Sequence, residues 1–157
     1  FAGLKVAVIG DILHSRLAKS DIWGLTKLGA EVRVSGPPTL VLPEVERLGV
    51  QYFYDASEAV RQADVILTTR LEPESLDGLY LPSFDEYKQF FRIDEKRIRL
   101  AKPDVIIMHP GPVRKGIEIS QGVVNSSSCI INDQMANSVA VRMAMLYVLS
   151  SVGGGLL

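Results

Sequence analysis

The sequence predicts an α/β fold, a doubly wound parallel sheet flanked by helices in a single domain. Short apolar runs at 5–9, 31–35, 65–69 and 105–108 alternate with stretches of helical periodicity. Breaker clusters, above all Gly36-Pro37-Pro38, punctuate them. The intervals between runs leave room for the right-handed crossovers that parallel strands require.

Each element has a local reason. Residues 5–9 (Lys-Val-Ala-Val-Ile) read as a buried strand turned at its carboxyl end by Gly10-Asp11. Helical spacing over 18–28 places Ile22, Leu25 and Leu28 on one face, and Gly29 is a stop signal. Residues 31–35 form the next strand. Pro43 can open a short helix through Leu48, since proline is tolerated in a first turn. Gly49 closes it, and 51–54 is a third strand. Ser57 and Glu58 begin a helix over 57–63 with Ala59, Val60 and Ala63 inward, and 65–69 is strand four.

Residues 71–92 break this rhythm. Pro73 and Pro82 stiffen a polar stretch, yet Tyr87, Phe90 and Phe91 argue against disorder. A long connection in a compact domain is usually functional, so the segment reads as a mobile lid, with Ser83 capping a short helix. A helix over 94–101, carrying Ile98 and Leu100, precedes strand five at 105–108. The chain from 109 to about 129 reads as irregular, with 126–129 a loop entering a strand. Asn137 or Ser138 is the expected cap of a terminal helix in which Met143 and Met145 serve packing. Residues 153–157 are the expected flexible tail.

Composition narrows the function. A chain of 157 residues suits one domain, which can bury roughly 70% of its unfolded surface. Seventeen basic against 18 acidic residues give a net charge of −1, which points to no nucleic acid and no membrane as partner. No apolar run approaches the ~20 residues of a membrane span, and no signal peptide is recognisable. The single Cys129 rules out an internal disulfide and fits a reducing, cytoplasmic setting. The start at Phe1, immediately ahead of a strand, reads as a piece of a longer polypeptide cut at a domain boundary; a processed terminus is the alternative.

The candidate chemistry gathers at strand ends. If 5–9, 65–69 and 105–108 run parallel, their carboxyl ends open onto one crevice, where open α/β sheets bind ligands. Arg16 and Arg70 follow two of these runs, and each guanidinium can grip a carboxylate bidentately, which suits a small dianion. Arg16 also lies near a helix start, where the dipole favours an anion. An exposed arginine is the alternative for Arg16, and an ion pair with Asp11, Glu72 or Glu74 for Arg70. Glu72 would repel a dianion or meet an ammonium group on the same ligand. The turn His109-Pro110-Gly111-Pro112 offers carbonyl oxygens to an amine or amide, or is simply a tight turn, and a cis bond before either proline is open. Asp11 reads as a turn residue, and His14 and His109 as either core hydrogen-bonders or catalysts. Gly10 lacks the further glycines of a dinucleotide loop, since positions 12 and 15 are Ile12 and Ser15. Two histidines and one cysteine have no ligand spacing. The sequence therefore implies no cofactor and no metal, and no residue is assigned a catalytic role.

Four passages carry a resemblance: residues 8–16 (V-I-G-D-I-L-H-S-R), Thr69-Arg70-Leu71, Met108-His109-Pro110-Gly111-Pro112, and residues 134–143 (Q-M-A-N-S-V-A-V-R-M). Together they resemble the aspartate-binding, carboxyl-terminal domain of the aspartate carbamoyltransferase family. The resemblance implies transfer of the carbamoyl group of carbamoyl phosphate to the amine of L-aspartate in pyrimidine biosynthesis. It assigns the aspartate carboxylates to Arg16 and Arg70, the carbamoyl amino group to the carbonyls of Pro110 and Gly111, and a closing loop to residues 72–83. It implies that residues 1–152 are this one domain and that the carbamoyl-phosphate domain, with its Ser-Thr-Arg-Thr loop, is absent from the chain. It also implies a homotrimer formed through that domain, a regulatory or dihydroorotase partner as an option, and no activity for this chain alone. Glu72 stands where the family often has glutamine, and Ser75 where arginine is common. These departures keep open a non-catalytic homologue acting as a scaffold or binding subunit. A different transcarbamoylase is the other alternative, although ornithine binders typically show a His-Cys-Leu-Pro turn.

Overall fold

The run Lys-Val-Ala-Val-Ile is apolar toward both of its faces, which suits a strand with helices on either side. In a computed structural model, which describes residues 1–71, 81 and 83–153, it becomes the central strand. The strands are β1 (Lys5–Ile9), β2 (Glu31–Ser35), β3 (Gln51–Phe53), β4 (Val65–Thr68) and β5 (Ile106–Met108). Among the described residues they form one parallel sheet in the order β3-β2-β1-β4-β5. The predicted α/β architecture is therefore observed.

The period-two alternation of β1 separates two cores. Val6 and Val8 join Val32, Val34, Ala18 and Ile22 on one face. Ala7 and Ile9 join Ile66, Ile107, Ala59 and Val60 on the other. Helix α1 (Arg16–Lys27) covers the first face. It begins ahead of the expected residue 18 because Ser15 takes the cap, its hydroxyl accepting from the Ala18 amide at 3.1 Å. It ends as Gly29 predicts: at φ +83° the chain returns the Gly29 amide to Thr26 O (3.1 Å) and the Ala30 amide to Leu25 O (3.0 Å). Leu28, expected on the buried face, is 55% exposed, because as C-cap it has left the helical rotation.

Other boundaries shift for similar reasons. Pro43–Leu48 forms a 3-10 helix. Helix α2 (Ala56–Ala59) is capped by Asp55, so Ser57 lies within it, while Val60 and Ala63 are buried beyond its end. Ser83 caps α3 (Phe84–Phe90) as expected, and Tyr87 and Phe91 enter the core while Phe90 stays outside. Asp94 caps α4 (Glu95–Ile98), shorter than the 94–101 helix predicted. The expected lid falls partly on α3, and its residues 72–80 and 82 lie outside the described residues.

The region expected to be irregular holds α5 (Gln121–Val124), with Ser120 as cap. Residues 126–129 do not enter a strand. Cys129 makes one parallel bridge to Ile107, and the chain turns directly into α6 (Ile131–Gly153). This helix starts ahead of Asn137 and Ser138, the caps expected from sequence, because the Gln134 amide already donates to Ile130 O at 2.8 Å. Met143 and Met145 were expected to pack; they are 66% and 61% exposed on a helix that leaves the sheet after its first turns. The predicted tail overlaps α6 at residue 153, and 154–157 lie outside the described residues.

Candidate functional site

The strand order reverses direction at β1, whose neighbours are β2 on one side and β4 on the other. Loops leaving the two sides must diverge, and the gap between them is the crevice in which open α/β sheets take ligands. Backbone bonds carry the ladder into these loops: the Gly10 amide donates to Ser35 O and the Thr69 amide to Ile9 O, both at 2.8 Å. Thr68 Oγ1 donates to Met108 O at 3.2 Å, tying the carboxyl ends of β4 and β5.

A cavity of about 400 Å³ opens there, lined by His14, Ser15, Arg16, Leu17, Arg70, Pro110 and Gly111. Of the site residues predicted from sequence, Arg16, Arg70, Pro110 and Gly111 thus share one cavity, and Glu72 lies outside the described residues. Arg16 is the first residue of α1, so its guanidinium stands at the positive end of the helix. Arg70 is half-buried, and its Nε is a buried donor with no hydrogen-bond partner among the described residues. The peptide bond Gly111–Pro112 is cis, and Gly111 holds φ +70°.

Two buried carboxylates brace this cavity. Asp11 accepts the His14 amide at 2.9 Å and His14 Nδ1 at 3.0 Å, so it holds both the backbone and the ring of a cavity-lining residue. Glu118 accepts the Leu71 amide (2.8 Å), the Arg114 amide (2.7 Å) and His109 Nε2 (2.9 Å). His109 Nδ1 accepts the Gly111 amide at 2.8 Å, which places the ring hydrogen on Nε2. His109 is therefore a core hydrogen-bonder, the first of the two roles its sequence position allowed. Tyr87 lies near both carboxylates: burial pushes its hydroxyl pKa well up, and the Glu118 and Asp11 charges add to the rise. Glu118 is the residue that sequence reasoning missed. Its signal is a lone carboxylate between Ile117 and Ile119, of which Ile119 and Glu118 itself are buried.

Two arginines and a proline turn thus line one cavity at the mouth of an open parallel α/β sheet. The comparisons make the class specific. Residues 2–149 match the family model of the aspartate/ornithine carbamoyltransferase Asp/Orn binding domain, and the chain belongs to that family. It is 52% identical over 149 residues to the aspartate carbamoyltransferase catalytic subunit of Caldanaerobacter subterraneus subsp. tengcongensis, covering 95% of this chain and 49% of that protein. The corresponding subunit of Ruminiclostridium cellulolyticum is 52% identical over 151 residues, covering 96% and 48%. The chain thus spans about half the length of these curated relatives. Among solved structures, ornithine carbamoyltransferase from Pyrococcus furiosus superposes with a TM-score of 0.77 at 27% identity, over 92% of this chain and 49% of that one. The ornithine carbamoyltransferase of Gloeobacter violaceus gives 0.65 at 28%, over 84% and 46%.

Proposed function

We propose that residues 1–152 are the aspartate-binding half of an aspartate carbamoyltransferase, in which the amine of L-aspartate attacks the carbonyl carbon of carbamoyl phosphate. The new C–N bond replaces the bond from that carbon to the phosphate oxygen, as phosphate leaves and the amine gives up a proton. The observation that carries the reading is the convergence of Arg16, Arg70 and the Pro110–Gly111 turn on one cavity. Each guanidinium takes one carboxylate of a four-carbon dicarboxylate. The turn's carbonyl oxygens accept from the carbamoyl amino group, which orients the electrophilic carbon toward the amine. Catalysis of this kind is positioning and electrostatics, with no covalent intermediate. Ornithine carries a side-chain ammonium, which a second guanidinium would repel, so aspartate fits the site better. The His109-Pro110-Gly111-Pro112 turn, in place of His-Cys-Leu-Pro, supports the same choice.

On this reading the carbamoyl-phosphate half, contributed by a further stretch of polypeptide, covers part of the present surface. The exposed apolar residues of α6, among them Val139, Met143, Leu146 and Leu149, support such a covering. The trimeric assembly, the cytoplasmic setting and any regulatory or dihydroorotase partner belong to that larger protein. The deciding experiment supplies carbamoyl phosphate with L-aspartate or L-ornithine to the protein carrying both halves and follows ureido-product formation. Turnover with aspartate alone is expected. Turnover with ornithine overturns the substrate, and none with either, from a folded protein, favours a non-catalytic binding subunit.

A further inference from the structure

The two arms of the cavity leave the sheet from different strands. Arg70 follows β4, and Pro110 and Gly111 follow β5. Beyond the strand ends, the described structure links these arms through Glu118. Its Oε1 accepts the amide of Leu71, the residue after Arg70, at 2.8 Å. Its Oε2 accepts the Arg114 amide and His109 Nε2, and His109 in turn accepts the Gly111 amide on Nδ1. The Leu71 amide, the Arg114 amide and His109 Nε2 are all donors to Glu118, and the carboxylate and the ring are fully buried. Only an acceptor on both oxygens satisfies them.

We propose, on the dicarboxylate reading above, that Glu118 is a positioning residue. It fixes the His109 tautomer and spaces Arg70 against the Pro110–Gly111 turn. Glutamine at 118 is nearly the same shape but brings an NH2 that meets a donor in either orientation. Facing Leu71, it releases the Arg70 arm. Facing Arg114 and His109, it opposes two donors. Turning His109 to its other tautomer would then set an Nδ1 hydrogen against the Gly111 amide. Either way one arm loses its anchor, and a displacement of about 1 Å in a positioning group can cost up to about a hundredfold.

The test uses the full 157-residue chain, as wild type and as Glu118→Gln. Nitrogen-15 NMR should find the wild-type His109 proton on Nε2. In Glu118→Gln, hydrogen exchange at the Leu71 or Gly111 amide should quicken at least tenfold over core amides such as that of Val8. Calorimetry with succinate should find affinity in the folded variant weakened by about tenfold or more. The wild-type proton on Nδ1, unchanged exchange at both amides, exchange raised uniformly through the core, or unchanged succinate affinity would each overturn the proposal. Should Glu118→Gln not fold, His109→Asn keeps an acceptor near the Gly111 amide and cuts only the tie to Glu118, with the same succinate result expected. Wild-type chain that binds no succinate counts against the dicarboxylate reading, and the NMR measurements then judge Glu118 by themselves.

Discussion

The space a side chain would need at Gly10 is occupied by Thr69 Oγ1, with Tyr87 Oη 2.9 Å from the same point. Gly10 directly follows the central strand at φ +124°, and Thr69 immediately precedes Arg70, so the site's spacing depends on this contact. Gly10→Ala adds both backbone strain, about 1–3 kcal/mol, and a collision with Thr69. The expected outcome is a lower urea midpoint together with weaker succinate binding, since relieving the collision moves Arg70. Adding Thr69→Ala should recover part of the loss and leave the strain. Equal stability of wild type and Gly10→Ala in urea melts would contradict this.

Arg70 should not be replaceable by another cation. Its Nε is already buried and without a hydrogen-bond partner among the described residues, and a lysine ammonium cannot form the planar two-point contact. Hydrogen bonds to charged groups are worth roughly 1.5–3 kcal/mol, so Arg70→Ala and Arg70→Lys should both weaken succinate binding by roughly 10-fold to 100-fold. Calorimetry at fixed ionic strength checks this. Arg70→Lys with wild-type affinity would mean that charge alone suffices.

The parallel sheet and the gathering of Arg16, Arg70, Pro110 and Gly111 at one cavity were legible because they follow from local signals: apolar runs, breakers, and polar residues directly beyond strand ends. Helix starts were displaced wherever a second capping residue competed. Ser15 and Asp55 cap α1 and α2, although the apolar periodicity begins later. Glu118 was missed because a lone carboxylate between two isoleucines does not reveal its donors, and the Leu71 amide, 47 residues away in sequence, reaches it only through the fold. The apolar residues of α6 were read as packing because pattern reveals apolarity but not which surface covers it.

Stability should fall in acid partly through Asp64. Its carboxylate accepts the Lys5 amide at 2.9 Å at the start of the central strand and pairs with Lys102. The Lys102 hydrogen bond, then the Lys5 amide, hold its pKa below the ordinary aspartate value of 3.8. The folded value is the lower one, so this contribution is complete above 3.8 and is lost as pH falls through the folded value. Asp64→Asn should therefore lower the urea midpoint at pH 7 and narrow the gap to wild type at pH 3. A gap that is the same at both pH values would show that the charge of Asp64 contributes nothing.

Helix α6 should govern how the chain behaves alone. Its 23 residues extend about 34 Å at ~1.5 Å each. Gln134 anchors the first turns by accepting the His109 amide at 3.1 Å, whereas Val139, Met143 and Leu146 are all exposed. Contiguous apolar surface of this kind drives association in water. The chain should self-associate with rising concentration in sedimentation velocity, and the triple variant Val139→Lys, Met143→Lys, Leu146→Lys should shift it toward monomer. Those positions make little contact with the sheet, so the urea midpoint should move by no more than about 0.5 kcal/mol in equivalent stability. Succinate binding should also persist, because Gln134 sits in the first turn of the helix and none of the three substituted residues lines the cavity. A wild-type chain that stays monomeric throughout would show that this surface needs no cover. A triple variant that unfolds would show instead that α6 packs on the domain in solution.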